Sequence, residues 1–133
     1  MLFLDTQAMV WLVEDVGRLG RRSLRLIDRS MAQAGIAVAT ICFWEMALLA
    51  RKRRIVLDIP LERWRLRVLS LGIQEVALTG DVAIAAAQLE GFHADPADRI
   101  IAATTSLLDG TLVTADQRIL EWKGTLRRQD ATS

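Results

Sequence analysis

The sequence predicts an α/β fold built on a parallel sheet with helices on both faces, a three-layer α/β/α arrangement of four to five strands. Three observations lead there. Short strand-like runs alternate with stretches of helical spacing along the whole chain. The length of 133 residues suits one domain with a layered core but not two independent cores. Hydrophobic residues make up 52% and charged residues 25%, a globular composition with a large core and no compositional sign of disorder.

The elements follow in order. Leu2 to Leu4 reads as a short buried strand, and Met9, Leu12 and Val13 then recur at helical spacing. Arg18 to Ala34, with Leu19, Leu24, Leu26, Ile27 and Met31 among arginines, is an amphipathic helix ended by Gly35. Ile36 to Thr40 is the second strand, and a helix runs from Ile41 to Arg53. Pro60, after the break at Asp58-Ile59, starts a helix through Leu71 that Gly72 closes. Gln74 to Leu78 is the third strand candidate. Thr79 or Gly80 caps an alanine-rich helix from Asp81 to Glu90. The Gly91 loop delivers Asp95-Pro96-Ala97-Asp98 into a helix through Leu108, and Asp109-Gly110 makes the next turn. Thr111 to Thr114 is the fourth strand, Asp116 to Leu120 a short helix, and Thr125 to Arg128 a candidate fifth strand at an edge. With no repeat, low-complexity tract or linker, residues 1–133 read as a single domain.

The net charge of +1 conceals local arginine clusters: Arg51-Lys52-Arg53-Arg54, the alternating Arg63, Arg65 and Arg67, and Arg127-Arg128. These either face phosphates or form solvated helix faces. Cys42 is the only cysteine, which excludes an intramolecular disulfide and suits a reducing, cytoplasmic setting. Asp5, Glu14 and Asp15 interrupt the apolar start, against a secretory signal. Gly35 to Ala50 is apolar except for Glu45 and precedes a basic run, as a membrane anchor would. It is short of the about 20 residues a span needs, and a charge near its middle costs roughly 2.5–3.5 kcal/mol on insertion. A buried strand running into a helix fits it better.

Four acids stand where an apolar run ends or a helix begins. Asp5 closes MLFLD, Asp116 follows TLVTA, Asp98 falls in the first turn after DPA, and Glu45 has no charged neighbour. An unpartnered buried carboxylate is costly, so such placement needs a reason. In parallel α/β sheets reactive groups gather beyond the carboxyl ends of the strands, where strand order reverses, and this fold can bring all four acids there. Carboxylates sharing a pocket repel one another unless a cation neutralises them. Oxygen-only ligands select Mg²⁺ or Mn²⁺; His93 and Cys42 are too few and too poorly spaced for zinc. A metal so held binds a phosphate oxygen and activates water, which points to phosphodiester hydrolysis.

Each acid also has a plainer reading. Asp5 and Asp116 could be helix N-caps, Asp98 could serve the dipole of its helix, and Glu45 could be a partnered core residue. Asp95 is assigned to capping. His93 is set aside as a hydrogen-bonded loop residue. Thr6 and Thr114, next to the acids, could orient a carboxylate or water. Trp44 is read as core or partner-facing.

The ordered segments LFLDTQAMVWL, FWEMALLARKRRI, HADPADRIIAAT and LVTADQRI closely resemble PIN-domain proteins, specifically VapC-type toxins of bacterial toxin–antitoxin pairs, over nearly the whole chain. The resemblance implies an α/β/α sandwich and a Mg²⁺- or Mn²⁺-dependent endoribonuclease leaving 5′-phosphate and 3′-hydroxyl ends. It also implies that Asp5, Glu45, Asp98 and Asp116 form the metal site. By the same likeness a VapB-type antitoxin would lie along an apolar groove and inhibit the toxin, the complex would repress its own operon by binding operator DNA, and the toxin would form a homodimer. The apolar excess and the exposed-looking Trp11, Trp44 and Trp64 are compatible with such interfaces. Two positions depart from the pattern: Gln7 stands where His or Asn usually follows DT, and Cys42 where Ser commonly precedes WE. Both are expected to border the site. The rival reading is a PIN-like adaptor that binds RNA or protein without cutting. RNA contact is expected at Arg51 to Arg54 and Arg63 to Arg67.

Overall fold

Leu2–Leu4, strand β1, has neighbours on both edges and helices over both faces, so all three of its side chains must be apolar; none is more than 2% exposed in the computed structural model, which describes residues 1–133. β2 (Ile36–Ala39), β3 (Gln74–Val76), β4 (Thr111–Thr114) and β5 (Arg127–Asp130) complete one all-parallel sheet in the order β3-β2-β1-β4-β5. Leu2 stands opposite Ile36 on one side and Thr111 on the other. β1 and β4 are adjacent in space but far apart in sequence. The chain leaves β1 toward β2 and leaves β4 toward β5, so the order reverses between these two strands.

The helices are α1 (Thr6–Glu14), α2 (Arg21–Ala32), α3 (Ile41–Arg51), α4 (Leu61–Ser70), α5 (Gly80–Ala87), α6 (Pro96–Leu107) and the single turn α7 (Gln117–Leu120). Right-handed crossovers put α1 to α4 on one face of the sheet and α5 to α7 on the other. The core between them is one cluster of 27 buried residues, with Trp64, Phe3 and Met46 among its largest members. A small cluster of Val82, Ala86 and Ala103 seats α5 on α6.

Several boundaries differ from expectation. α2 begins at Arg21, with Gly20 at its N-cap, because a separate 3₁₀ turn, Val16–Arg18, lies between it and α1. Gly35 ends this segment as predicted: its φ of +93° is open to glycine, and its N–H returns to Ser30 O at 2.6 Å. β5 runs two residues later than predicted, from Arg127 to Asp130. Its register pairs Arg127 with Thr111 and Asp130 with Thr114, so Thr125 and Leu126 belong to the connection. Trp11 and Trp64 are not exposed; they are 8% and 0% exposed respectively. Trp64 turns inward from α4 and donates its indole N–H to Glu14 at 2.6 Å. Trp44, at 52% exposed, is the one of the three that meets solvent. No helix is long and apolar enough to cross a membrane.

Candidate active site

The reversal between β1 and β4 opens a crevice at the carboxyl ends of the strands, and the capping rules fill it with acids. Asp5 is the first residue beyond β1. Its N–H still donates to Val113 O of β4, and its side chain caps α1, Oδ1 accepting from Ala8 N at 2.8 Å. Oδ2 accepts from the Thr114 hydroxyl at 2.5 Å. Asp5 is only 6% exposed, and burial pushes its pKa from 3.8 to about 6. The Thr114 and Ala8 bonds oppose that rise, while the charges of Asp98 and Asp116 add to it.

Glu45 projects from the second turn of α3 and accepts from the Thr6 hydroxyl at 2.5 Å. Burial, opposed by this bond and helped by Asp98, Asp95 and Asp5, pushes its pKa to about 7. Asp98, in the first turn of α6, has Oδ2 2.7 Å from His93 Nε2 and 3.6 Å from the Arg118 guanidinium. Burial raises its pKa, and the His93 bond holds it down. Asp116 caps α7, with Oδ1 accepting from Arg118 N at 2.8 Å and Oδ2 paired with the Arg118 guanidinium at 2.8 Å. The bond from Arg118 holds its carboxyl below the ordinary value. The plain capping readings of Asp5 and Asp116 are therefore correct and do not compete with the other: a cap at the end of a strand is also a carboxylate at the mouth of the crevice.

All four acids line one open cleft of about 350 Å³, together with Asp95, Gln7 and Arg118. Two donor sets meet at it, each offering atoms no more than 4.8 Å apart: Glu45, Asp95 and Asp98, and Asp98 and Asp116 with His93 beside them. Asp98 belongs to both. Asp5 belongs to neither and forms the buried wall, its oxygens turned to Ala8 and Thr114.

Three contributors escaped the sequence reading. Asp95 does cap α6, through the Asp98 N–H at 3.2 Å, but its carboxyl also joins Glu45 and Asp98. His93 reads from the sequence as a hydrogen-bonded loop residue, yet it is half-buried, bonded to Asp98 and stacked on Phe92 with ring centroids 4.6 Å apart; its Nδ1 is buried without a partner. Its position five residues before Asp98, across a proline turn, was the available signal. Arg118 lies two residues after Asp116, close enough in sequence to have been considered.

The departures behave differently. Gln7 is exposed and lines the cleft. Cys42 does not: it is fully buried, its thiol 3.9 Å from Leu4 O, and burial pushes the thiol pKa up. Among the basic runs, Arg65 is held by Glu75 at 2.8 Å and Arg67 by Asp58 at 3.3 Å, while Arg51 to Arg54 are exposed without an ion pair. Arg127 pairs with Asp109.

The donor set fits a hard divalent cation. It is oxygen-rich, and the raised pKa values of Asp5, Glu45 and Asp98 reflect crowded, desolvated negative charge that a cation would relieve.

A carboxylate cluster at the switch point of a parallel sheet defines the class as an α/β protein with an acidic cleft. Residues 2–124 match the PIN domain family model, and the chain belongs to that family. Ribonuclease VapC22 of Mycobacterium tuberculosis (strain ATCC 25618 / H37Rv) is 35% identical over 119 residues, covering 89% of this chain and 88% of that one. The fold matches VapBC2 from Rickettsia felis, solved bound to a promoter DNA fragment, with a TM-score of 0.68 at 15% identity over 97% and 98% of the two chains. It also matches FitAcB from Neisseria gonorrhoeae, with a TM-score of 0.66 at 19% identity over 98% of both. At these identities the structural likeness is one of fold.

Proposed function

We propose that the protein is a Mg²⁺- or Mn²⁺-dependent endoribonuclease, the toxin of a VapBC-type pair, which hydrolyses RNA phosphodiester bonds and inhibits growth in the cytoplasm until its antitoxin binds. The observation that carries this reading is the convergence of Asp98 with Glu45 and Asp95 on one side and with His93 and Asp116 on the other. Asp5, Glu45, Asp98 and Asp116 are the proposed metal ligands. The cation, when bound, supplies Lewis-acid polarisation of the phosphate and a water of lowered pKa.

The chain's own groups do the positioning. Thr114 and Thr6 fix the carboxylates of Asp5 and Glu45. His93 orients Asp98, and Arg118 keeps Asp116 ionised while placing a guanidinium at the cleft. Exposed Arg51 to Arg54 are proposed to attract the RNA backbone. The 35% identity to a ribonuclease supports the activity. The toxin–antitoxin complexes among the structural neighbours, some of them bound to DNA, support a VapB-type antitoxin and operator binding by the complex; a homodimeric toxin is proposed on the resemblance of the sequence to VapC-type toxins.

The test is cleavage of a mixed pool of structured RNA by purified protein with Mn²⁺ or Mg²⁺, beside an EDTA control and Asp98→Asn. Cutting that needs the metal and is lost in the variant is expected. Full cutting by Asp98→Asn refutes the site, and neither cutting nor Mn²⁺ binding by the folded parent returns the adaptor reading.

A further inference from the structure

A second depression adjoins the acidic cleft and is larger, about 790 Å³ against about 350 Å³, within the range of small-ligand clefts of about 300–1,000 Å³. Arg118 belongs to the walls of both. One wall is residues 88–91, after α5; the other is residues 121–125, between α7 and β5.

Both walls are built rather than left slack. All five N–H donors of Arg99 are used on backbone carbonyls, those of Ala86, Ala87, Leu89, Phe92 and His93, at 2.7–3.3 Å. Arg128 does the same for the other wall, donating to Ile119, Trp122 and Gly124 at 2.6–3.3 Å. The Trp122 indole N–H donates to Glu90 O at 2.9 Å and ties the walls together. The indole also lies so close over Gly124 that a Cβ there would fall 2.0 Å from the ring. Rigid walls suit recognition, because little ordering remains to be paid when a ligand enters.

Because the two depressions share Arg118, an RNA with a phosphate at the carboxylates has this groove within reach of a neighbouring nucleotide. This one offers a half-buried indole, the cations Arg118 and Lys123 toward the backbone, and two acids, Glu90 and Glu121. Carboxylates repel bare phosphate but accept hydrogen bonds from exocyclic amino groups, as they do from cytosine N4. Aromatic rings and exposed base edges are the usual means of reading single-stranded RNA. We propose that this groove holds the base of a nucleotide flanking the cleaved phosphate, against Trp122, and that Glu90 and Glu121 select a base with an exocyclic amine over uracil. The proposal rests on the ribonuclease reading.

Two measurements test it separately from that reading. In the first, a library of oligoribonucleotides with random positions is cut by the parent with Mn²⁺ and the ends are sequenced. Uracil should be depleted about tenfold at one position within two nucleotides of the cut, since it carries a carbonyl and no exocyclic amine to give to the carboxylates, and an acceptor facing an acceptor is left unpaired. The double variant Glu90→Gln and Glu121→Gln should reduce that depletion at least about threefold with Mn²⁺ affinity unchanged. No uracil depletion, or the same depletion in the variant, overturns the proposal.

In the second, ¹⁵N-labelled parent in EDTA is titrated with random hexaribonucleotides and, separately, with hexauridylate. The indole resonance of Trp122 and the amides of Gly91 and Gly124 should shift with the mixed hexamers and much less with hexauridylate. Shifts confined to other surfaces, or equal with both ligands, overturn the groove even if the protein cuts RNA. The expected shifts in a protein that cuts nothing retain the groove and reject the nuclease.

Discussion

Replacing Asp5 by Asn should make the metal-free protein more stable at neutral pH while removing its activity. Burial raises the Asp5 pKa from 3.8 to about 6. At about 1.36 kcal/mol per unit, holding this side chain ionised in the fold at pH 7 costs roughly 3 kcal/mol relative to the unfolded chain. Asn removes that term and keeps an Oδ1 to accept from Ala8 N, so the cap of α1 survives. What is lost is the acceptor for Thr114. That hydroxyl already accepts from Asp116 N at 3.1 Å, and it would now face an amide N–H₂ as well. The lost bond offsets roughly 1 kcal/mol, leaving a net gain of roughly 2 kcal/mol.

The pH dependence has a definite sign. Because the folded pKa of Asp5 is raised, its contribution to the parent's stability is fully present below about pH 4 and is lost as pH rises through about 6. The advantage of the Asn variant is therefore present at pH 7 and vanishes near pH 4, where Asp5 is protonated in the fold and about half protonated in the unfolded chain, so that little of the ionisation cost remains against the lost Thr114 bond. Urea unfolding of both proteins in EDTA at pH 4 and pH 7 measures it. Mn²⁺ at a hundred times its Kd then stabilises the parent by about 2.7 kcal/mol and the variant by much less, which reverses their order. A variant less stable than the parent in EDTA at pH 7, or an advantage that persists at pH 4, would refute the reasoning.

Three further outcomes follow from single contacts. Thr6→Val removes the hydroxyl bonded to Glu45, whose pKa is already about 7; the midpoint of Mn²⁺ binding against pH should move up by about one unit, and an unmoved midpoint contradicts the assignment of Glu45 as a ligand. Arg99→Ala leaves five carbonyls without their donor, so it should destabilise the fold by about 3 kcal/mol or more in urea unfolding and free the His93 ring, seen as a changed imidazole resonance. Gly124→Ala drives a methyl group into the Trp122 ring, so it should cost about 1–3 kcal/mol and change the indole fluorescence; a silent substitution would mean that the ring does not lie on Gly124.

The fold was legible because local and global signals agree in this chain. The strands LFL and IAVA are apolar throughout and TLVT carries no charge, which suits strands covered on both sides. Gly35 and Gly72 mark ends whose positive φ few other residues adopt well, and Pro60, whose ring fixes φ, stands just before the first turn of α4. The four acids stood out because a carboxylate at the end of an apolar run is expensive without a purpose, and the structure places all of them on one cleft. The fifth strand was misplaced by two residues because RRQD carries no apolar pattern; its register is set by pairing with β4.

By itself, then, the sequence determined which segments are strands and helices and singled out four acids that the fold brings to one cleft, because apolar periodicity and the cost of burying charge are written in neighbouring residues. Only the tertiary structure decided which groups meet. It set Asp98 against His93, and Thr114 against Asp5 across 109 positions of chain. It turned Trp11 and Trp64 inward and left Trp44 out. It also gave Arg99 and Arg128 to backbone carbonyls, whereas the sequence offered Arg128 only as part of a basic pair and gave no sign of the role of Arg99. A side chain's partner depends on which helix face and sheet edge it shares with residues far along the chain, and that information exists only once the strands have chosen their order.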